Sequence, residues 1–399
     1  MSLFIKSLLP QKTKDLIKNW VKTVRYKSLR ILSYILYPFL GHRSPLRGYY
    51  NSSKNLISQN FTNGQYVLIN NENYIDYSNK WQSESIDENN LINSEQHFLT
   101  PETFVSVIPN GRVLFDYGVV VSPDRKLIGD VSINLGGDSS SHSAMFELYL
   151  PPVQKIQGNL AVISSTAHQR YFHWMFDVLP RFGLLQKTQI PIDTYLINCE
   201  RSFQQESIEI LGIPFEKVIS PKVNTHIEAE RLVVPSLPGY ISYMTKFSCD
   251  FLRSIFLNDD SFEIGRCIYV TRKDALTRRL LNEDRVLDIL EKYGFESVEL
   301  TGISIIEQAK IFASAKIIVS PHGAGLTNIV FCSKNSYVIE FMPDSYTNLC
   351  FQRLSGLLTL RYYALSAKTF VNSHLGRLMN HDHYVDTEKL EFIVRKILS

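Results

Sequence analysis

Ala315 to Phe331 reads AKIIVSPHGAGLTNIVF. Its start is a short apolar run stopped by a turn, the pattern of a buried strand. Two glycines and a histidine fill the turn, and a helix begins near Leu326. Glycines at the end of a buried strand let the backbone come close to something. In open α/β sheets, ligands bind beyond the carboxyl ends of strands. On that reading Ser320 ends the strand, and Gly323, Ala324 and Gly325 form the close approach. The helix from Leu326 then turns its free N–H groups and positive end to the same point. This is an anion site suited to a diphosphate. It lacks the Gly-Lys-Ser/Thr end of a Walker loop and the G-x-G-x-x-G spacing of a dinucleotide turn.

The same punctuation repeats outward. Towards the N-terminus, NLAVISS, DTYLINC, KVIS and ERLVVPS read as strands. Between and after them, YFHWMFDVLPRFGLLQK (kinked at Pro180), SFQQESIEILGI and SYMTKFSCDFLRSIFLN read as helices. Asp259 to Ser261 reads as a linker. Beyond it RCIYVTR, FESVELT, KIIVS and YVIEFMP are strands. They alternate with the helices NEDRVLDILEKYG, capped by Asn282 and ended by Gly294, SIIEQAKIFASA and LTNIVFCS. Strands alternating with helices make parallel sheets covered on both faces. The expected fold is therefore α/β, with two Rossmann-like domains facing a cleft, at 151–260 and 261–375. A final helical segment, 376–399, is expected to pack back on the first of them. Residues 49–150 form a small β-rich and loop region ahead of both. It includes a meander whose turn is Ser122-Pro123-Asp124, and the Gly/Ser stretch Asn134 to Ser143 ends it.

A chain of 399 residues exceeds one ordinary core, in keeping with that division. Hydrophobic residues are 44% and charged residues 20%, as in soluble globular proteins. The charge is unevenly placed. Residues 1–48 hold ten Lys/Arg and one acid, Asp15, a net +9, while the remainder holds 32 basic and 38 acidic residues, a net −6. A net-negative body argues against nucleic acid as a partner. The N-terminal segment reads as a basic amphipathic helix, with Ile17, Trp20, Val21 and Val24 on one face. The apolar hook Ile31 to Leu40 follows it. Such a segment suits an anionic membrane surface. No window reaches the ~18 apolar residues of a spanning helix, and a secretory leader is not expected. Five scattered cysteines form no C-x-x-C pair, which fits a reducing compartment. The expected setting is cytoplasmic, peripheral to the inner face of the cytoplasmic membrane.

Three further clusters carry chemistry. CIYVTR delivers Arg272 to a strand end, and Arg278 and Arg279 follow in the loop. Guanidinium forks suit phosphate oxygens. YVIEFMP sets Glu340 in an apolar run, where an acid needs a partner such as a ribose diol. In AHQRYFHWMFDVLPRF, His173 and Asp177 lie four apart and share a helical face. The aspartate can orient the imidazole and stabilise its protonated form, which makes His173 a candidate general base. Asp177 itself, His168 and His322 remain rival bases. His322 can instead donate to the diphosphate. His381 to His383, HDH, reads as a loop and not a metal site.

YFHWMFDVLPRF, IYVTRKDALTRRLLNE, IIVSPHGAGLTNIVF and VIEFMP occur in this order, and the chain here resembles glycosyltransferase family 61. The resemblance covers about residues 100–370. It implies a GT-B-like fold and transfer from a nucleotide sugar with inversion. The nucleotide sugar would sit in the C-terminal domain, at Arg272, Arg278, Arg279, Ser320, His322 to Leu326 and Glu340. The acceptor, a glycan or lipid-linked glycan, would sit by the N-terminal domain. Bacterial members are often described as capsular polysaccharide biosynthesis proteins. An inverting transfer needs a base for the acceptor hydroxyl and positive charge for the departing diphosphate. No D-x-D occurs here, so no metal or cofactor is expected, and the arginines and the helix end replace the cation. Two other classes compete. A phosphoesterase or other hydrolase needs a metal or nucleophile cluster that the sequence lacks. A non-catalytic glycan- or nucleotide-binding relative would keep the glycine loop and lose the His173–Asp177 pair.

Overall fold

The computed structural model describes residues 11–60, 63–76, 97–133, 137–257, 262–371 and 380–399. The linker expected at 259–261 and part of the Gly/Ser stretch lie outside them. The chain opens on helix α1 (Gln11–Leu40), strand β1 (Gly48–Tyr50) and helix α2 (Ser53–Asn60). Strands β2 (Gln65–Asn70), β3 (Asn73–Asp76), β4 (His97–Thr100), β5 (Thr103–Pro109) and β6 (Arg112–Leu114) follow. The meander continues with β7 (Val119–Val121) and β8 (Lys126–Ile128). β9 (Gln154–Val162) leads into α3 (Tyr171–His173), a π-helical turn over Trp174–Val178, and α4 (Pro180–Gln186). β10 (Thr194–Leu196), α5 (Ser202–Ile210), β11 (Val218–Ile219), β12 (His226–Pro235) and α6 (Lys246–Phe256) complete this half.

The second half runs β13 (Arg266–Val270), α7 (Glu283–Glu291), β14 (Phe295–Val298), α8 (Ile305–Ala313) and β15 (Ala315–Pro321). A 3₁₀ helix over Ala324–Phe331, β16 (Tyr337–Pro343), α9 (Cys350–Leu358), β17 (Arg361–Phe370), β18 (Asp382–Val385) and α10 (Thr387–Leu398) follow. The six strands order as β14-β13-β15-β16-β17-β18, parallel except for β18. β15 and β16 are buried almost throughout, as strands covered on both faces must be.

The first sheet has ten strands. β12, β9, β10 and β11 are parallel neighbours, as the alternation predicts. The β-rich region does not stand apart from them. β12 is ten residues long and pairs antiparallel with β6 through one half and β5 through the other. The expected division at residue 150 therefore runs between strands of one sheet. The apolar hook at 31–40 is not separate either, because it continues α1 without a break. The C-terminal segment corrects a third expectation. β18 turns the chain back against β17, so α10 lands on the second sheet, not the first. Its Leu390, Ile393 and Val394 are buried with Leu290 of α7 and with Ile317 and Ile339. The stretch His381–His383, read as a loop, enters this strand. The largest core cluster draws on both sheets, joining Ile163, Trp174 and Val233 to Ile268, Ile318 and Phe331.

A buried histidine makes the first sheet acid-sensitive. His226 donates from Nδ1 to the Pro151 carbonyl at 2.8 Å, and Arg112 lies 3.4 Å from Nε2. Burial lowers its pKa to about 4, helped by the Arg112 charge. The unfolded chain takes up this proton near pH 6.5 and the folded chain only near 4, so stability is lost as pH falls through that window. The limit is about 3 kcal/mol. Chemical denaturation against pH should show this slope, and His226→Gln should flatten it. An unchanged slope in the variant would exclude His226 as the source.

Candidate functional site

β13 and β15 are parallel neighbours, so their carboxyl ends open at one edge. Glu283, the first residue of α7, ties down the end of β13. Its Oε1 accepts from Tyr269 (2.8 Å), Thr271 (2.7 Å) and the Arg272 backbone N–H (3.3 Å). The Arg272 side chain then folds inward. Nε donates to the Arg278 carbonyl (3.4 Å) and Nη2 to the Thr277 carbonyl (3.3 Å). Burial brings its pKa down to about 10, so it stays charged at neutral pH. Its hydrogen bonds go to carbonyls, and no carboxylate pairs with it among the described residues. A half-buried cation with no ion-pair partner gains from an incoming anion.

The glycine turn is shaped around that guanidinium. A Cβ on Gly323 would run into Arg272 Nη1. Gly323 is extended, with φ 173°, so it serves close approach and not an unusual backbone. A Cβ on Gly325 would crowd Leu300 and Val270 at 3.1 Å, so this glycine lets the 3₁₀ helix pack on the sheet. The first internal bond of the turn runs from Leu326 N–H to the Gly323 carbonyl. The N–H groups of Ala324 and Gly325 precede it and remain for a ligand. Leu326 is core, and its N–H is used. Ser320 is buried and closes its hydroxyl on the Pro321 carbonyl. Neither of these two reaches a ligand by side chain, contrary to expectation.

Glu340 is also reassigned. It is fully buried, and both carboxylate oxygens are taken. Oε1 pairs with His322 Nδ1, and Oε2 accepts from the Tyr362 hydroxyl at 2.5 Å. A ribose diol does not reach it. β15, β16 and β17 are adjacent, and their register brings the three residues together. Nδ1–H of His322 faces the carboxylate, which leaves Nε2 as the ring nitrogen for a ligand. Burial and Glu340 push the Tyr362 hydroxyl well above its ordinary pKa, so it is a fixed donor.

The first sheet supplies a second imidazole held in the same way. His173 Nδ1 pairs with Asp177 Oδ2 at 2.7 Å. Asp177 is buried, and burial raises its pKa against the pull of His173 and Arg181. Arg181 is buried too and donates to the carbonyls of Ile163, Ser164 and Pro235. The π turn has a local cause. Pro180 has no N–H, and its ring crowds the preceding turn. The chain widens there, and Leu179 N–H bonds back to the Trp174 carbonyl. His168 is buried, with Nδ1 on the Ser165 carbonyl and no carboxylate behind it among the described residues.

The two imidazoles belong to one locality. Phe172 touches His173 and Phe351, and Phe351 touches His322, with ring centroids 5.4–5.8 Å apart. Tyr171 donates to Asn328 at 2.8 Å, and Asn328 donates to Gln308 at 2.6 Å. Beside them lies a recess of about 370 Å³, lined by Tyr171, Phe203, Glu206, Arg272, Leu300 and Gly325 among others. Arg278 is half-buried in the left-handed region, and burial, with a smaller push from Arg170, lowers its pKa. Arg279 is not part of this cluster. It pairs with Asp382 at 3.0 Å and braces β18. Sequence reasoning missed Arg170, Arg181 and Tyr362. Arg181 had a signal, its place four after Asp177. Tyr362 had none.

The glycosyltransferase 61 family model matches residues 171–339, so the resemblance read from the sequence holds over the segment that carries both imidazoles. A Beta-1,2-xylosyltransferase RCN11 of Oryza sativa subsp. japonica is 27% identical over 138 residues, 30% of this chain and 26% of that protein. An Alpha-1,3-arabinosyltransferase XAT3 of the same organism is 34% identical over 93 residues, 22% of this chain and 16% of that protein. An EGF domain-specific O-linked N-acetylglucosamine transferase of Drosophila melanogaster is 31% identical over 100 residues, 24% and 19% of the two chains. The matches span about a quarter or less of these relatives' length.

The geometry ties Gly323 to Arg272. Gly323→Ala should push the guanidinium aside with little change in melting temperature, because the backbone there is extended and a side-chain end can shift. Calorimetric titration with whichever of UDP, GDP, CMP and dTDP stabilises the parent protein should show weaker binding in Gly323→Ala and in Arg272→Ala, by ~1.5–3 kcal/mol for the lost charged bond. The double variant should lose less than the sum. Full affinity in a folded Gly323→Ala protein would break the link.

Proposed function

We propose that this chain is an inverting glycosyltransferase that moves a sugar from a nucleotide sugar to a glycan or lipid-linked acceptor in surface polysaccharide synthesis. One observation carries the reading. Two imidazoles, each held at Nδ1 by a buried carboxylate, are joined through the rings of Phe172 and Phe351, and one of them precedes the glycine turn that closes on Arg272, whose half-buried guanidinium makes no ion pair among the described residues. The two sheets act as the two halves of a GT-B-like enzyme, with the recess as its cleft. The nucleoside enters the recess by Leu300, and the diphosphate lies on Arg272, Arg278 and the N–H groups of Ala324 and Gly325. His173 Nε2 takes the proton of the acceptor hydroxyl as that oxygen attacks the anomeric carbon. Asp177 stabilises the imidazolium that forms. The bond to the nucleoside diphosphate breaks on the opposite face, which gives inversion. His322 Nε2 lies by the leaving group, and the guanidiniums and N–H groups balance the growing charge without a metal. We place the enzyme in the cytoplasm, at the inner face of the membrane, where capsule or lipopolysaccharide precursors are built.

A thermal-shift screen against UDP-, GDP-, CMP- and dTDP-sugars identifies the donor, because a ligand of the folded state raises its apparent stability. With that donor, His173→Ala should lower turnover ~10²–10⁴-fold and leave donor affinity nearly unchanged. His322→Ala should weaken donor binding as well as rate. Near-normal turnover in His173→Ala, with His322→Ala dead but binding donor normally, would reverse the two roles. No stabilisation by any nucleotide sugar would count against the enzyme reading as a whole.

A further inference from the structure

α1 has two apolar faces. Tyr26, Leu29, Ser33 and Leu36 recur at intervals of three and four and turn towards the protein. Leu29 and Ser33 are buried, Tyr26 packs on the cluster of Leu46, Leu114 and Met145, and the Ser33 hydroxyl donates to the Pro45 carbonyl. Trp20, Val24, Ile31 and Ile35, at intervals of four, seven and four, form a stripe on the opposite side. These four are 67%, 42%, 61% and 57% exposed. Phe39 extends the stripe at the last turn, 83% exposed. The sequence suggested one amphipathic face and a separate hook. The structure instead presents one long helix, with its inner face already used and a second apolar face bare.

We propose that this outer stripe lies in an anionic lipid surface, with α1 parallel to the membrane plane. Two observations choose this occupant. First, residues 16–48 contain no acid, and exposed Lys27 lies beside the stripe, while Lys22 and Arg30 are on the side facing the body, Arg30 donating to the Arg47 carbonyl. An acid-free helix of net positive charge that bares aromatic and aliphatic side chains fits an anionic interface. A second copy would set two such acid-free stretches against each other across a two-fold axis, like charge on like. Second, the stripe from Trp20 to Ile35 spans about 22 Å of helix, and no described helix is long and apolar enough to cross a membrane. The helix therefore lies on the surface. The inference deepens the membrane part of the proposed function and is independent of its chemistry.

The test uses the full chain with two kinds of vesicle, pure phosphatidylcholine and phosphatidylcholine mixed with phosphatidylglycerol. Cosedimentation should occur with the phosphatidylglycerol vesicles alone, and high salt should weaken it. Ile31→Glu/Ile35→Glu changes two exposed side chains, so its melting temperature should stay at the parent value while vesicle partition drops about tenfold or more. Equal partition of parent and variant overturns the proposal. So does a concentration-dependent dimer, seen by sedimentation velocity, that the same two changes abolish while neither protein binds vesicles. Vesicle binding without any nucleotide-sugar binding would leave this surface standing and remove the enzymatic reading.

Discussion

The guanidinium of Arg272 is the constraint around which the second half of the chain is arranged. It is half-buried and charged, and among the described residues its hydrogen bonds go to the backbone carbonyls of Thr277 and Arg278. A fold tolerates such a group when the surrounding structure over-determines it. Glu283 does this from below, gathering Tyr269, Thr271 and the Arg272 backbone on one oxygen. Gly323 does it from above, because any side chain there would enter the space that Nη1 occupies. The carboxylate that could have neutralised Arg272 is spent on its backbone instead. The cation is left against the glycine turn at Gly323.

A second arrangement repeats in both sheets. Each sends one histidine to the common locality, and each backs it with a carboxylate that water does not reach. The two backings are built differently. Asp177 is on the same helical segment as His173, four residues on, with the Arg181 charge acting on it at longer range. Glu340 comes from the neighbouring strand and leans on Tyr362. The difference has a chemical consequence. Arg181 is a charge that favours an ionised Asp177, whereas Tyr362 is a neutral donor. The bond chain from Tyr171 through Asn328 to Gln308 then links the His173 segment to the floor of the recess, since Gln308 also donates to the Leu300 and Ile303 carbonyls.

Much of this was legible from local pattern. The alternation after residue 158 gave the α/β class, because buried parallel strands must be apolar and their crossovers helical. The glycine turn and Arg272 could be placed because both sit at strand ends. His173 and Asp177 could be paired because helical spacing is fixed. What depended on register or on distant packing could not be read. Glu340 looked like a ligand-binding acid because its partners come from other strands, and nothing in YVIEFMP says that Tyr362 lies across from it. Arg279 looked like its neighbour Arg278 until Asp382, about a hundred residues later, claimed it. The shared strand β12 was hidden for the same reason. Its apolar run describes burial but not which two strands divide its edge.

The two histidines differ most in access. The side chain of His322 is 6% exposed and that of His173 18%. A base for an acceptor must meet a molecule that arrives from solution and leaves larger, so it belongs on the open side. A group serving the diphosphate gains from exclusion of water, because its hydrogen bond is stronger in a low dielectric. Tyr362 and Glu340 fit that second demand. They fix the His322 ring without adding a cation that would compete for the phosphate oxygens. Asp177 fits the first, because its pairing with His173 opposes the rise that burial imposes on its pKa. The sheet of origin and the exposure of each histidine thus agree with the division of labour proposed for them.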